Sequence, residues 1–182
     1  MSAFGDPPPD LHRPGFGTPT PASRAPGPHG DGARSTAPIS LTVNVNGTEH
    51  HATLEPRTLL SDFLRHELQL TGTKVGCELG TCGSCTVHID GEPALACLTL
   101  AVQVQGAQVT TIEGLPHGRL QESFHERHAL QCGFCTAGML MTLDAFLRAN
   151  PDPTEQQVKD ALSGNLCRCT GYQPIVEAVR NR

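Results

Sequence analysis

The chain has 182 residues, a formal net charge of −5 and only two lysines, Lys74 and Lys159. That balance offers no basic patch for phosphates, so nucleic-acid binding is not expected. No run of eighteen or more apolar residues exists, so no membrane span is expected either.

Residues 1–38 hold nine of the fifteen prolines and few large apolar side chains. Such a segment cannot bury enough surface to offset its ordering entropy, and it is expected to be a disordered extension. It lacks an apolar h-region and a twin-arginine pair, so no export signal is expected and the protein is read as cytoplasmic.

Order is expected from Ile39. The stretch Ile39-Ser-Leu-Thr-Val-Asn-Val alternates apolar and polar residues with strand periodicity, and Asn46-Gly47 marks a tight turn into a second strand from His51. Thr58–Leu68 carries Leu59, Leu60, Phe63, Leu64 and Leu68 on one helical face. A glycine- and cysteine-rich loop runs from Thr71 to Ser84. Thr86–Asp90 and Ala94–Leu100 read as a hairpin, and Gln108–Ile112 as a final strand. Hairpin, helix, loop, hairpin and strand form an α+β pattern resembling the β-grasp fold. After Gly114 the pattern turns helical over 120–130, 138–149, 154–162 and 175–181. Thr154 and Gln157 stand at capping-box spacing, and Asn150-Pro-Asp-Pro breaks the helix before them. The expected organisation is a 39–115 ferredoxin-like domain followed by a 116–182 all-α domain of four helices.

All eight cysteines lie between Cys77 and Cys169. In a reducing compartment such a cluster points to metal rather than disulfides, and the Cys167-Arg-Cys169 pair is awkward to bridge. Cys77, Cys82 and Cys85 have the spacing C-x4-C-x2-C, with Cys97 on the following hairpin, which is the plant-type [2Fe-2S] arrangement. A two-iron rhomb takes two thiolates on each iron. A loop wraps it closely only where residues lack a Cβ, as Gly76, Gly80 and Gly83 do. Structural zinc is the competing reading, but zinc favours paired C-x2-C knuckles, and only one such pair is present here.

Cys132-Gly-Phe-Cys135 and Cys167-Arg-Cys169 make a second set, each pair expected before a helix whose free N–H groups favour thiolates. Taken alone, this set suits zinc or iron; beside the first it points to a second cluster. Two oxidised clusters on eight thiolates would bring the net charge to about −9, to be stabilised by backbone N–H dipoles.

Three segments carry a family resemblance: Gly76-Cys-Glu-Leu-Gly-Thr-Cys-Gly-Ser-Cys-Thr-Val, Gln131-Cys-Gly-Phe-Cys-Thr-Ala-Gly and Gly164-Asn-Leu-Cys-Arg-Cys-Thr-Gly-Tyr. Together they resemble the iron–sulfur small subunit of molybdenum hydroxylases, the xanthine oxidase, aldehyde oxidoreductase and carbon monoxide dehydrogenase family. The resemblance spans about residues 39–182. It implies an electron-transfer subunit of an oxidoreductase, a large partner subunit with a molybdopterin-type molybdenum cofactor, and a medium partner subunit with FAD. It further implies that Cys132, Cys135, Cys167 and Cys169 ligate a molybdenum-proximal [2Fe-2S] cluster, and Cys77, Cys82, Cys85 and Cys97 a flavin-side one. Gln131 and the sulfur of Cys169 are implied to contact the pterin. Substrate chemistry would then occur on another polypeptide, and no catalytic residue is assigned here. A free two-cluster ferredoxin and a redox sensor are the alternative functions.

His50, His51, His125 and His128 gather no cysteine or carboxylate pattern and read as solvated side chains. Met139 and Met141 read as core fillers. Lys74 and Arg168 either offset cluster charge or form salt bridges.

Overall fold

The structure is a computed structural model and describes residues 37–182. The extension expected over 1–38 lies outside the described residues except for Pro38 and its neighbour, which are exposed and carry no regular structure. Strand β1 (Ile39–Val45) and strand β2 (Thr48–Leu54) form an antiparallel hairpin in which Val45 faces Thr48. Asn46 and Gly47 both have positive φ, 52° and 83°, as the tight hairpin turn requires. The alternation read along β1 has a physical outcome: Leu41, Val43 and Val45 are buried while the residues between them are partly exposed.

Strand β3 (Thr86–Ile89) pairs antiparallel with β4 (Glu92–Leu95), and β5 (Gln108–Thr110) lies between β1 and β3, parallel to β1 and antiparallel to β3. The result is a mixed five-stranded sheet of order β2-β1-β5-β3-β4. With the helices described below, it gives an α+β architecture. Two hydrophobic cores form within one continuous unit. The first packs Leu41, Val43, Phe63, Leu64, Val87 and Val109 under the sheet. The second packs Leu120, Phe124, Met139, Leu143, Ile175 and Val179 among the later helices.

Three elements differ most from their sequence reading. The helix expected over 58–68 is only one α turn, α1 (Leu60–Asp62), which widens into a π turn over Phe63–Glu67. Leu68 there donates its N–H to the Phe63 carbonyl, five residues back, at 3.1 Å, and Phe63 and Leu64 are both fully buried. Strand β4 stops at Leu95, five residues short of the expected Leu100, because the chain turns there. Ala96 donates to the Cys85 carbonyl at 3.2 Å and Leu98 to the Leu95 carbonyl at 2.9 Å.

Helix α2 (Arg119–Glu126) ends four residues before the expected Leu130. His128 adopts φ 52°, and its N–H bonds the His125 carbonyl while that of Ala129 bonds the Phe124 carbonyl. This is a Schellman closure with a histidine where glycine is usual. Helix α3 (Thr136–Ala149), helix α4 (Glu155–Ala161) and helix α5 (Gln173–Arg180) follow. The Thr154–Gln157 capping box is formed.

Candidate metal centre

The loop between the π turn and β3 holds Cys77, Cys82 and Cys85 without regular structure. Around the cysteines its curvature comes from positive φ at Glu78, Gly80 and Gly83. The β3–β4 hairpin delivers the fourth cysteine. Thr86 faces Leu95 in register, so Cys85 and Cys97 sit just beyond the paired residues at one end of the hairpin, both buried.

Within this set Cys77 neighbours Cys82, and Cys85 neighbours both Cys97 and Cys82. Their environments differ sharply. Cys77 is held down to about 6 by hydrogen bonds from the Thr81 side chain and the Leu79 N–H, the latter 3.4 Å from its sulfur. Burial pushes Cys85 up to about 12, and the neighbouring Cys97 and Cys82 thiols add to the rise. An uncompensated thiolate at Cys85 is therefore unfavourable, and a cation must accompany its ionisation.

The second set repeats the arrangement. Cys132 and Cys169 are exposed, with sulfurs 3.6 Å apart. Cys135 and Cys167 make the other pair and are less exposed; burial and the Cys167 thiol push Cys135 up to about 12. Burial works against ionisation of Cys167, but the Thr170 hydroxyl donates to its sulfur at 3.1 Å and the net direction is downward. Cys169 is raised by its neighbour Cys132. Cys135 immediately precedes α3, as expected, whereas Cys169 lies four residues before α5. A phenol closes the gap: the Cys167 N–H donates to Tyr172 Oη at 2.9 Å, and that hydroxyl donates to the Asn165 carbonyl at 3.0 Å. Tyr172 itself takes φ 69° to begin α5.

The donor chemistry fits metal ligation rather than disulfides. All eight cysteines are free thiols, and 3.6 Å between Cys132 and Cys169 far exceeds a disulfide bond of about 2.05 Å. Two sulfurs on one tetrahedral metal with bonds of about 2.3 Å would stand about 3.8 Å apart, close to that spacing. Four free thiols in each set supply the two donors per iron that a two-iron centre takes.

Gln131 is exposed beside the exposed Cys132 and Cys169 pair, and its side chain makes no hydrogen bond among the described residues. His125 and His128 are exposed, and His51 bonds Thr42 and Glu49. Met139 and Met141 are fully buried. Lys74 donates to the Thr71 carbonyl, and neither it nor Arg168 pairs with a carboxylate among the described residues.

Sequence reasoning missed the residues between the two sets. Asn165 is buried and donates to the Gly83 carbonyl at 3.1 Å, while Leu166 donates its N–H to the Cys82 carbonyl at 2.9 Å. His88 is buried on β3 against α3. Their places within or near the cysteine segments were the only signal, since no spacing rule ties one loop to another.

Comparison with known proteins agrees with this chemistry. A family described as "2Fe-2S iron-sulfur cluster binding domain" matches residues 43–102, and one described as "[2Fe-2S] binding domain" matches residues 111–180. The chain is 53% identical over 150 residues to the caffeine dehydrogenase subunit gamma of Pseudomonas sp. (strain CBB1), covering 79% of this chain and 89% of that one. It is 53% identical over 144 residues to the nicotine 6-hydroxylase small subunit of Paenarthrobacter nicotinovorans, covering 78% and 87%. The crystal structure of quinoline 2-oxidoreductase from Pseudomonas putida 86 superposes with a TM-score of 0.77 at 51% identity, covering 79% of this chain and 91% of that one.

Proposed function

Because the chain belongs to the family of small iron–sulfur subunits of molybdenum hydroxylases, we propose that it relays electrons from a molybdopterin centre to a flavin. The molybdopterin sits on a large partner subunit and the FAD on a medium one. Cys132, Cys135, Cys167 and Cys169 hold the molybdenum-side [2Fe-2S] cluster, and Cys77, Cys82, Cys85 and Cys97 the flavin-side one. A bound cluster of this type takes up and returns one electron at a time. The protein's part is to fix the sulfurs, donate hydrogen bonds to them and exclude water from the inner pair of each set.

The observation that carries this reading is the gathering of eight free thiols into two separate sets of four, with Cys132 and Cys169 an exposed pair in the second. Exposure of Cys132, Cys169 and Gln131 together supports that edge as the one facing the pterin. The two hydrophobic cores support a ferredoxin-like β-grasp domain over 39–115 and a four-helix domain over 116–182. We place the complex in the cytoplasm; no helix among the described residues is long and apolar enough to cross a membrane. Relatives of nearly equal length serve enzymes named for caffeine, nicotine and quinoline. That range over one small chain fits substrate choice on the partner polypeptide.

The test is iron and acid-labile sulfide analysis with EPR of the dithionite-reduced protein, followed by isolation of the complex. Two distinct spin signals, and co-purification with one flavin and one molybdenum polypeptide, are expected. Zinc in place of iron, or a chain active and stable alone, would sink the proposal.

A further inference from the structure

The two cysteine sets meet where the backbone of the first loop packs against α3 and the segment before Cys167. Gly138 lies in the first turn of α3, three residues after Cys135, and is buried. A Cβ there would overlap the Gly83 carbonyl oxygen and lie 2.8 Å from Ser84 Cα. Gly83 stands between Cys82 and Cys85, and it has φ 67°. Its carbonyl accepts from Asn165 Nδ2 at 3.1 Å and from Thr86 Oγ1 at 2.7 Å. One residue further along, the Leu166 N–H reaches the Cys82 carbonyl at 2.9 Å. A single hydrogen bond therefore joins Cys82 to the residue preceding Cys167, and every other link between them is covalent. Phe134, between Cys132 and Cys135, lies over the same loop: a Cβ on Gly76 would be 3.2 Å from its Cε1 and 3.3 Å from Cys82 Sγ.

Glycine inside a helix is destabilising relative to alanine. Position 138 has an ordinary helical backbone, so what excludes alanine there is the space taken by the cysteine loop. Asn165 holds that loop from the other side.

We infer that Gly138, Gly83 and Asn165 form a spacer that sets how closely the two cysteine sets approach. It thereby sets the rate at which an electron passes between them. The inference rests on the proposal that both sets hold [2Fe-2S] clusters. The transfer moves one electron, oxidising the donor site and reducing the acceptor site by one, with no bond made or broken. Asn165 and Gly138 are positioning residues; neither touches the reacting atoms.

The experiment uses the assembled, cluster-loaded complex carrying Gly138→Ala or Asn165→Asp. The first adds one methyl at the contact. The second adds no atom but turns an acceptor toward the Gly83 carbonyl. Iron and sulfide content and the separate EPR line positions are read first. The magnetic interaction between the two reduced clusters follows, since dipolar coupling falls with the cube of distance, and then electron redistribution after rapid mixing with dithionite. The expected result is full iron content with weakened interaction and severalfold slower redistribution in at least the Asn165→Asp complex. Full iron with wild-type interaction and rate in both variants would overturn the spacer. Loss of iron in both would also overturn it, assigning the contact to folding alone. An unsubstituted complex lacking two distinct signals would instead refute the cluster assignment beneath it.

Discussion

His88 on β3 donates from Nε2 to the carbonyl of Met141 on α3 at 2.7 Å, tying the sheet to the helix that begins at Cys135. The imidazole is 2% exposed, and its other nitrogen stands 4.0 Å from the Asp144 carboxylate. Asp144 in turn pairs with Arg148 at 2.8 Å, and Arg148 donates to the Gly91 carbonyl in the β3–β4 turn. The two cores are thus joined twice along one edge. Replacing His88 with leucine removes a buried hydrogen bond without opening a large cavity. We expect a loss of about 1–3 kcal/mol, read as a lower unfolding midpoint, with iron content unchanged. A variant as stable as the parent would mean the bond contributes nothing net.

The two cysteine sets should fail independently, because each is held by its own core. Cys132→Ser removes a thiolate from the outer pair of the second set, whose partner Cys169 is 3.6 Å away. About half of the iron should be lost and one EPR signal should disappear, while the signal of the Cys77–Cys97 set persists. Loss of both signals from a chain that stays folded would refute the division of ligands.

Much of this was legible in the sequence because the chemistry is local. The C-x4-C-x2-C loop, the alternation along β1 and the Thr154–Gln157 box each depend on residues a few positions apart. The helix over 58–68 was misjudged because its apolar positions suit an α face as well as a π turn, and packing of both Phe63 and Leu64 decides between them. Helix α2 was drawn too long because His128 occupies a left-handed position normally read from glycine. Asn165 and His88 were invisible for a deeper reason. Their partners, Gly83 and Met141, lie 82 and 53 residues away, and nothing in either segment names the other.

Thr170 offers a way to tune one site without removing a ligand. Its hydroxyl donates to Cys167 Sγ at 3.1 Å. A donor to a thiolate sulfur stabilises the more electron-rich state and raises the reduction potential. Thr170→Val keeps the shape and removes the donor. If the bond favours the reduced state by about 1 kcal/mol, the potential of that cluster should fall by about 40 mV. An EPR-monitored redox titration reads this directly, and the other cluster serves as the internal control. An unchanged potential would show that the hydroxyl acts only on the local turn.

Removal of iron should expose the unequal thiols. Cys77 sits near 6, lowered by Thr81 and the Leu79 N–H, and is therefore mostly thiolate at neutral pH in the metal-free chain. Cys85 and Cys135, pushed up to about 12 chiefly by burial, stay protonated there. Only the thiolate is the nucleophile, so limiting iodoacetamide near pH 7.5 should label Cys77 well ahead of Cys85 and Cys135. The sign fixes the pH dependence. Labelling of Cys77 should decline as pH falls through about 6, while Cys85 and Cys135 remain slow until far above neutrality. Peptide mapping of the chelator-treated protein supplies the measurement. Equal labelling of the three would mean that the metal-free loop no longer holds the Thr81 and Leu79 donors against Cys77, so that iron itself is needed to order the loop.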